Sequence, residues 1–141
     1  MRVLGIDFGE VRIGIAISDP AGKLAVPLTT LSRVSDMDAI AQIQAIVRRE
    51  NIEHLVLGEP RNMDGSIGDA AHRVRSFRRK LQEQIPLPCD LVDETLTSVE
   101  ARERLLDAGI DPKRVRERID QVAAQILLEQ YFASGSRGED D

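Results

Sequence analysis

The stretch MRVLGIDFGEVRIGIAISDPAGKLAVPL (Met1–Leu28) decides the fold. It holds three apolar, β-like runs, Arg2–Gly9, Arg12–Ser18 and Lys23–Leu28, separated by Gly9-Glu10 and by Asp19-Pro20-Ala21-Gly22. Breaks this short, each with a glycine, read as hairpin turns, so the three strands are expected to form an antiparallel meander.

Beyond Leu28 the pattern changes period. Ser35 followed by Asp38 resembles a capping box, and Ile40, Ile43, Ile46 and Val47 recur at helical spacing through to Glu50. His54–Gly58 is a nearly continuous apolar strand of the kind buried on both faces, and a polar loop, Glu59–Gly68, follows. From Asp69 to about Gln84, Ala70, Val74, Phe77 and Leu81 mark the apolar side of a helix, with Arg73, Arg75, Arg78, Arg79 and Lys80 on its other faces. Cys89–Asp93 is another strand. Thr97 with Glu100 makes a second capping box for a helix that Gly109 stops. Asp111-Pro112 supplies the N-cap and first-turn proline of a last helix to about Phe132. The expected fold is α/β: a mixed five-stranded sheet, three antiparallel strands first and parallel strands after, with helices on both faces. Residues 1–133 read as one domain and 134–141 as a flexible acidic tail.

Composition narrows the chemistry. At 141 residues the chain is long enough to bury a core without a staple, and its single Cys89 excludes an internal disulfide. With only His54 and His72 beside that thiol, no thiolate or imidazole zinc site can be assembled, so any metal would be held by carboxylates. The formal charge of −5 argues against a broadly basic coat for nucleic acid. Asp7 interrupts any apolar leader, and no run approaches the ~18 apolar residues of a membrane span. A reduced, cytoplasmic protein is expected.

Ligands of open α/β sheets gather at the carboxyl ends of strands, which here carry Asp7, Glu59, Asp93 and Glu94. Asp7 reads either as a turn residue before Gly9 or as a buried acid awaiting a cation. Asp93 and Glu94, as strand neighbours, point to opposite faces, so only one can join Asp7. Asp120 lies on the last helix, where Ala123 and Ala124 would let the helix approach the sheet closely. It reads either as a site residue or as a border acid paired with Arg116. Three converging carboxylates would stay ionised together only around hard divalent cations, Mg²⁺ or Mn²⁺, and two such ions suit phosphodiester hydrolysis.

Four ordered blocks, GIDFGEVRIGIAISD (Gly5–Asp19), NMDGS (Asn62–Ser66), DETLTSVEA (Asp93–Ala101) and D-x-x-A-A-x-x-I-L-x-x-x-Y (Asp120–Tyr131), resemble the YqgF/RuvX family of RuvC-like resolvases. The resemblance implies an RNase H-like fold and a metal-dependent nuclease, acting in 5′-end processing of pre-16S ribosomal RNA or on Holliday junctions. It also implies that the acidic positions are Asp7, Glu94 and Asp120, which chooses Glu94 over Asp93. Two departures stand out: Glu59 where the family has leucine, a possible fourth metal ligand, and Thr95 where it has arginine.

Candidate contacts to the nucleic-acid partner are Arg12, Asn62, Arg73, Arg75, Arg79, Lys113, Arg114 and Arg116. Asn62, Asp64 and Gly65 would form a loop able to close over substrate. With one Tyr, three Phe and no Trp, recognition should depend on backbone shape rather than base stacking. Setting aside the three site acids and the three of the tail, the charge balance turns slightly positive. A sugar-kinase-like nucleotide switch, suggested by GIDFG, would need a second domain that this length does not hold. A non-catalytic RNA-binding module stays open, as does the choice between monomer and dimer.

Overall fold

Three hairpin-linked strands open the computed structural model, which describes residues 1–60, 64, 67–94 and 97–134. β1 (Val3–Phe8), β2 (Arg12–Ser18) and β3 (Ala25–Ser32) form the antiparallel meander; β4 (His54–Glu59) and β5 (Cys89–Asp93) then add in parallel on the other side of β1. The sheet order is β3-β2-β1-β4-β5.

Two boundaries differ from the sequence reading. β3 begins at Ala25 rather than Lys23 and runs on to Ser32, because β2 offers a partner as far as Arg12, opposite Ser32, with a register shift at Ile15/Ala16. Pro27 is tolerated inside it because β3 is an edge strand. Glu59 is the last residue of β4 and not the first of the loop, since β5 extends the pairing to Glu59 opposite Asp93.

The helices are α1 (Asp36–Glu50), α2 (Asp69–Gln84), α3 (Thr97–Asp107) and α4 (Pro112–Ser134). Ser35 caps α1 by accepting from the Asp38 amide, and Asn51 ends it in the left-handed conformation at φ 55°. The Asp111 carboxylate accepts from the Lys113 amide at the start of α4, at 3.1 Å. The buried side of α2 is Ala71, Val74, Phe77 and Leu81; Ala71 takes the place expected for Ala70. Among the described residues, no helix is long and apolar enough to cross a membrane.

The sheet is packed unequally on its two faces, and this positions the site. Leu4, Ile6, Ile13, Ile15, Ile17, Leu55 and Leu57 fill the space beneath α1 and α2. The alternate residues facing α4 are smaller: Val3, Ala16 and Val56 pack on Ala124, Leu127, Leu128 and Tyr131. Gly5 and Gly14 belong to this second set, opposite Ala16 and Asp7 respectively. A β-carbon built at Gly14 would lie 1.9 Å from the Asp120 carbonyl oxygen, so α4 rests on β2 where only glycine leaves room. α3 packs mainly on α4, its Ala101 and Leu105 against Val115, Val122, Ala123 and Ile126.

Candidate active site

Asp7 lies near the carboxyl end of β1, directly opposite Gly14. On its other side the β1–β4 register, one step beyond Ile6–Leu57, brings Gly58 alongside. Both glycines leave space on the α4 face, and an acid enters through each. At Gly14 it is Asp120, whose backbone occupies the gap. At Gly58 it is Glu94, whose Oε1 would lie 2.1 Å from an added β-carbon. Glu94 follows β5, its amide donating to the Glu59 carbonyl at 3.1 Å.

Three acids widely separated in the chain therefore meet. Asp7 and Glu94 are hydrogen-bonded carboxyl to carboxyl, and Asp120 acts on both electrostatically. Burial pushes Glu94 well above the usual carboxylate range, and Asp7 and Asp120 reinforce the effect. Burial raises Asp7 as well, against the hydrogen bond from Glu94 and with the Asp120 charge. The rise is the larger on Glu94, so the pair as a unit resists losing its last proton. The Thr97 hydroxyl lies 3.3 Å from Glu94 Oε2 and steadies it. Asp120 is turned outward: its Oδ2 accepts from Arg12 Nε at 2.8 Å, and not from Arg116. Among the described residues, no group of three acids, imidazoles or thiolates is closed around a point as a finished metal cage. The donor set is nonetheless all hard oxygen, and a dyad that keeps a proton is a dyad short of positive charge.

The Glu59 side chain is directed away from the Asp7–Glu94 pair. Adjacent to Gly58 in β4, it projects to the other face of the sheet, buried and ion-paired with Arg75 of α2. Strand alternation removes it from the candidate ligands, although its sequence position at a strand end suggested otherwise. Asp93 is opposite Glu59 in register and exposed, so Glu94 is the acid that reaches Asp7.

The basic candidates divide. Arg12 stands at the rim of the acidic cluster. Arg73 pairs with Glu10 at 2.8 Å, and Arg75 is held by Glu59. Lys80 binds Asp36 at 2.9 Å, and Arg78 donates to the Cys89 carbonyl. Much of the α2 run therefore fastens the helix to the sheet, although it reads in sequence as a solvated or phosphate-tracking face. Arg79 is exposed, as are Lys113, Arg114 and Arg116 on the first turns of α4. Asn62, Gly65 and Thr95 lie outside the described residues. Gly14, Gly58 and the Thr97 hydroxyl are site residues that motif spacing does not single out. Glycines inside strand patterns were the signal available for the first two, because they mark close backbone approach.

Fold and site together define the class: an RNase H-like α/β domain with carboxylates gathered at the strand ends. A solved structure agrees on the fold. RuvC of Thermus thermophilus, in complex with a Holliday junction substrate, superposes with a TM-score of 0.61 at 15% identity, covering 96% of this chain and 97% of that one. The model of the RuvX family, described as Holliday junction resolvase, matches residues 1–134, and the chain belongs to that family. Relatives named "Putative pre-16S rRNA nuclease" include one from Moorella thermoacetica, 46% identical over 132 residues and covering 94% of each chain. Another, from Syntrophomonas wolfei, is 41% identical over 140 residues and covers 99% of each.

Proposed function

We propose that the chain is a divalent-metal-dependent endonuclease of structured nucleic acid, acting in the cytoplasm on the 5′ end of pre-16S ribosomal RNA. Residues 1–133 would be its catalytic domain and the acidic tail would lie outside it. The observation that carries this reading is the Asp7–Glu94 pair with Asp120 beside it. Buried acids in contact cost stability unless a cation compensates them, and hard carboxylate oxygens suit Mg²⁺ or Mn²⁺. A cation bound there supplies Lewis-acid polarisation of a phosphoryl oxygen and an acidified water.

The chain's own residues do the remaining work. Asp7 of β1 and Glu94 just beyond β5, which flank β4, would hold the cation as carboxylates, any proton on the pair passing to solvent. Asp120 supplies a third carboxylate from α4. Arg12 keeps Asp120 oriented until it turns inward, and the guanidinium is then available to a substrate phosphate. Thr97 holds the Glu94 carboxylate in position. The relatives' names support RNA as the substrate. The family description supports a second reading, a four-way DNA junction, whose paired cuts would require two active sites and hence a dimer.

The test is cleavage of pre-16S RNA, a four-way junction and a single strand by the full chain in Mg²⁺, Mn²⁺ or EDTA. Cleavage that needs metal and is lost in Asp7→Asn supports the nuclease. Binding untouched by EDTA or by Asp7→Asn, with no cleavage of any substrate, would instead mark a non-catalytic RNA-binding module.

A further inference from the structure

We infer that the β5 edge of the sheet carries a phosphate-binding track that extends the substrate path away from the carboxylates; this rests on the nuclease reading. Arg75, Arg78, Arg79 and Gln82 of α2, together with Leu91 of β5, line a cavity of about 420 Å³. Their spacing sets the four polar residues on one side of the helix, beside a strand that ends the sheet. Among the described residues, no acid lines the cavity. Arg75 is neutralised by Glu59, whereas Arg78 donates to the Cys89 carbonyl, feels the Asp90 charge without a salt bridge to it, and keeps a buried Nε–H with no partner. Guanidinium groups brought together in this way repel unless an anion sits between them, and their planar donors suit a phosphate.

The inner end of the track lies at the carboxyl end of β4, on the face of the sheet opposite the carboxylate pair. Arg75 holds Glu59, and the Glu59 carbonyl accepts from the Glu94 amide. From Arg75 to Gln82 the helix rises about 10 Å, the length of about three nucleotides of a duplex strand at ~3.4 Å each. A strand crossing the ends of β4 and β5 would therefore continue along α2. None of the described lining residues is aromatic, so the contact would follow phosphates and not bases. A cavity of about 390 Å³ near the β1–β2 turn also holds two arginines, Arg33 and Arg73, but Asp36 and Glu10 are paired with them. Of these two cavities, the one on the β5 side has no acid among its described lining residues.

The experiment measures binding of a labelled pre-rRNA hairpin and a four-way DNA junction to full-length Asp7→Asn protein in Mg²⁺, across a salt series. Adding Arg79→Ala or Arg78→Gln should weaken both complexes by about three- to tenfold. Each should also lower the slope of log affinity against log salt by about one. Arg48→Ala, on the exposed last turn of α1, should change neither. Unchanged affinity and slope in Arg79→Ala, an exposed position that leaves packing intact, would overturn the track even if Arg78→Gln fails to fold. If the parent binds neither nucleic acid, track and nuclease reading fall together. If slopes shift while the wild type cuts nothing in Mg²⁺ or Mn²⁺, the nuclease reading falls and the track stands.

Discussion

Asp7 and Gly14 face each other across the β1–β2 pair, and the space a side chain would fill at Gly14 is taken by the Asp120 backbone. That relationship joins the two ends of the chain at one point. Gly14→Ala should force α4 away from β2, lowering stability by about 1–3 kcal/mol in urea unfolding and separating Asp120 from Asp7. Gly58→Ala should behave differently. The atoms nearest its new β-carbon belong to the Glu94 carboxyl group and not to backbone, so the strain should fall on the site: the fold should survive while metal-dependent cleavage is lost. Equal loss of stability in both variants would contradict this account.

Asp7→Asn should abolish cleavage, by about a thousandfold or more, yet raise the thermal midpoint in EDTA. The acid pair is stabilised by its proton, so the native site is costly near neutrality, and removing one carboxylate relieves repulsion. Mg²⁺ should raise the midpoint of the wild type and leave that of the variant nearly unmoved.

Arg12→Ala tests the guanidinium at the rim. Its side chain is 55% exposed and that of Asp120 22%, so the ion pair should contribute at most about 1 kcal/mol to stability. Loss of a phosphate contact should instead weaken substrate binding roughly tenfold, measured as Kd. A large fall in stability with unchanged Kd would assign Arg12 to structure alone.

At the opposite end of the sheet, the Asp90 carboxylate accepts from the buried Tyr131 hydroxyl at 2.6 Å and lies 3.0 Å from His54 Nε2. Partial burial works to raise its pKa, but the hydrogen bonds from Tyr131 and His54 outweigh that and hold it below the usual carboxylate value. A depressed pKa stabilises the fold above the unfolded value of about 4, and the contribution disappears as pH falls through the native value. Urea midpoints between pH 7 and 3 should therefore decline on acidification, and more shallowly in Asp90→Asn.

The strands, the helices and their order follow from local pattern: glycine-broken apolar runs, capping residues and helical spacing identify them directly. The motifs that carry the family resemblance also pointed to Asp7, Glu94 and Asp120. Pattern alone left each acid between two roles, because spacing along a chain does not say which face a strand-end residue meets. Pairing register settled that geometry. It set Glu94 over Gly58 and sent its near neighbour Glu59 to Arg75 on the far face. Tertiary packing likewise turned much of the α2 basic run into internal fasteners and left Arg78 and Arg79 beside the sheet edge. Periodicity reports which side of an element is apolar; only the assembled sheet decides which charges find partners and which remain for a ligand.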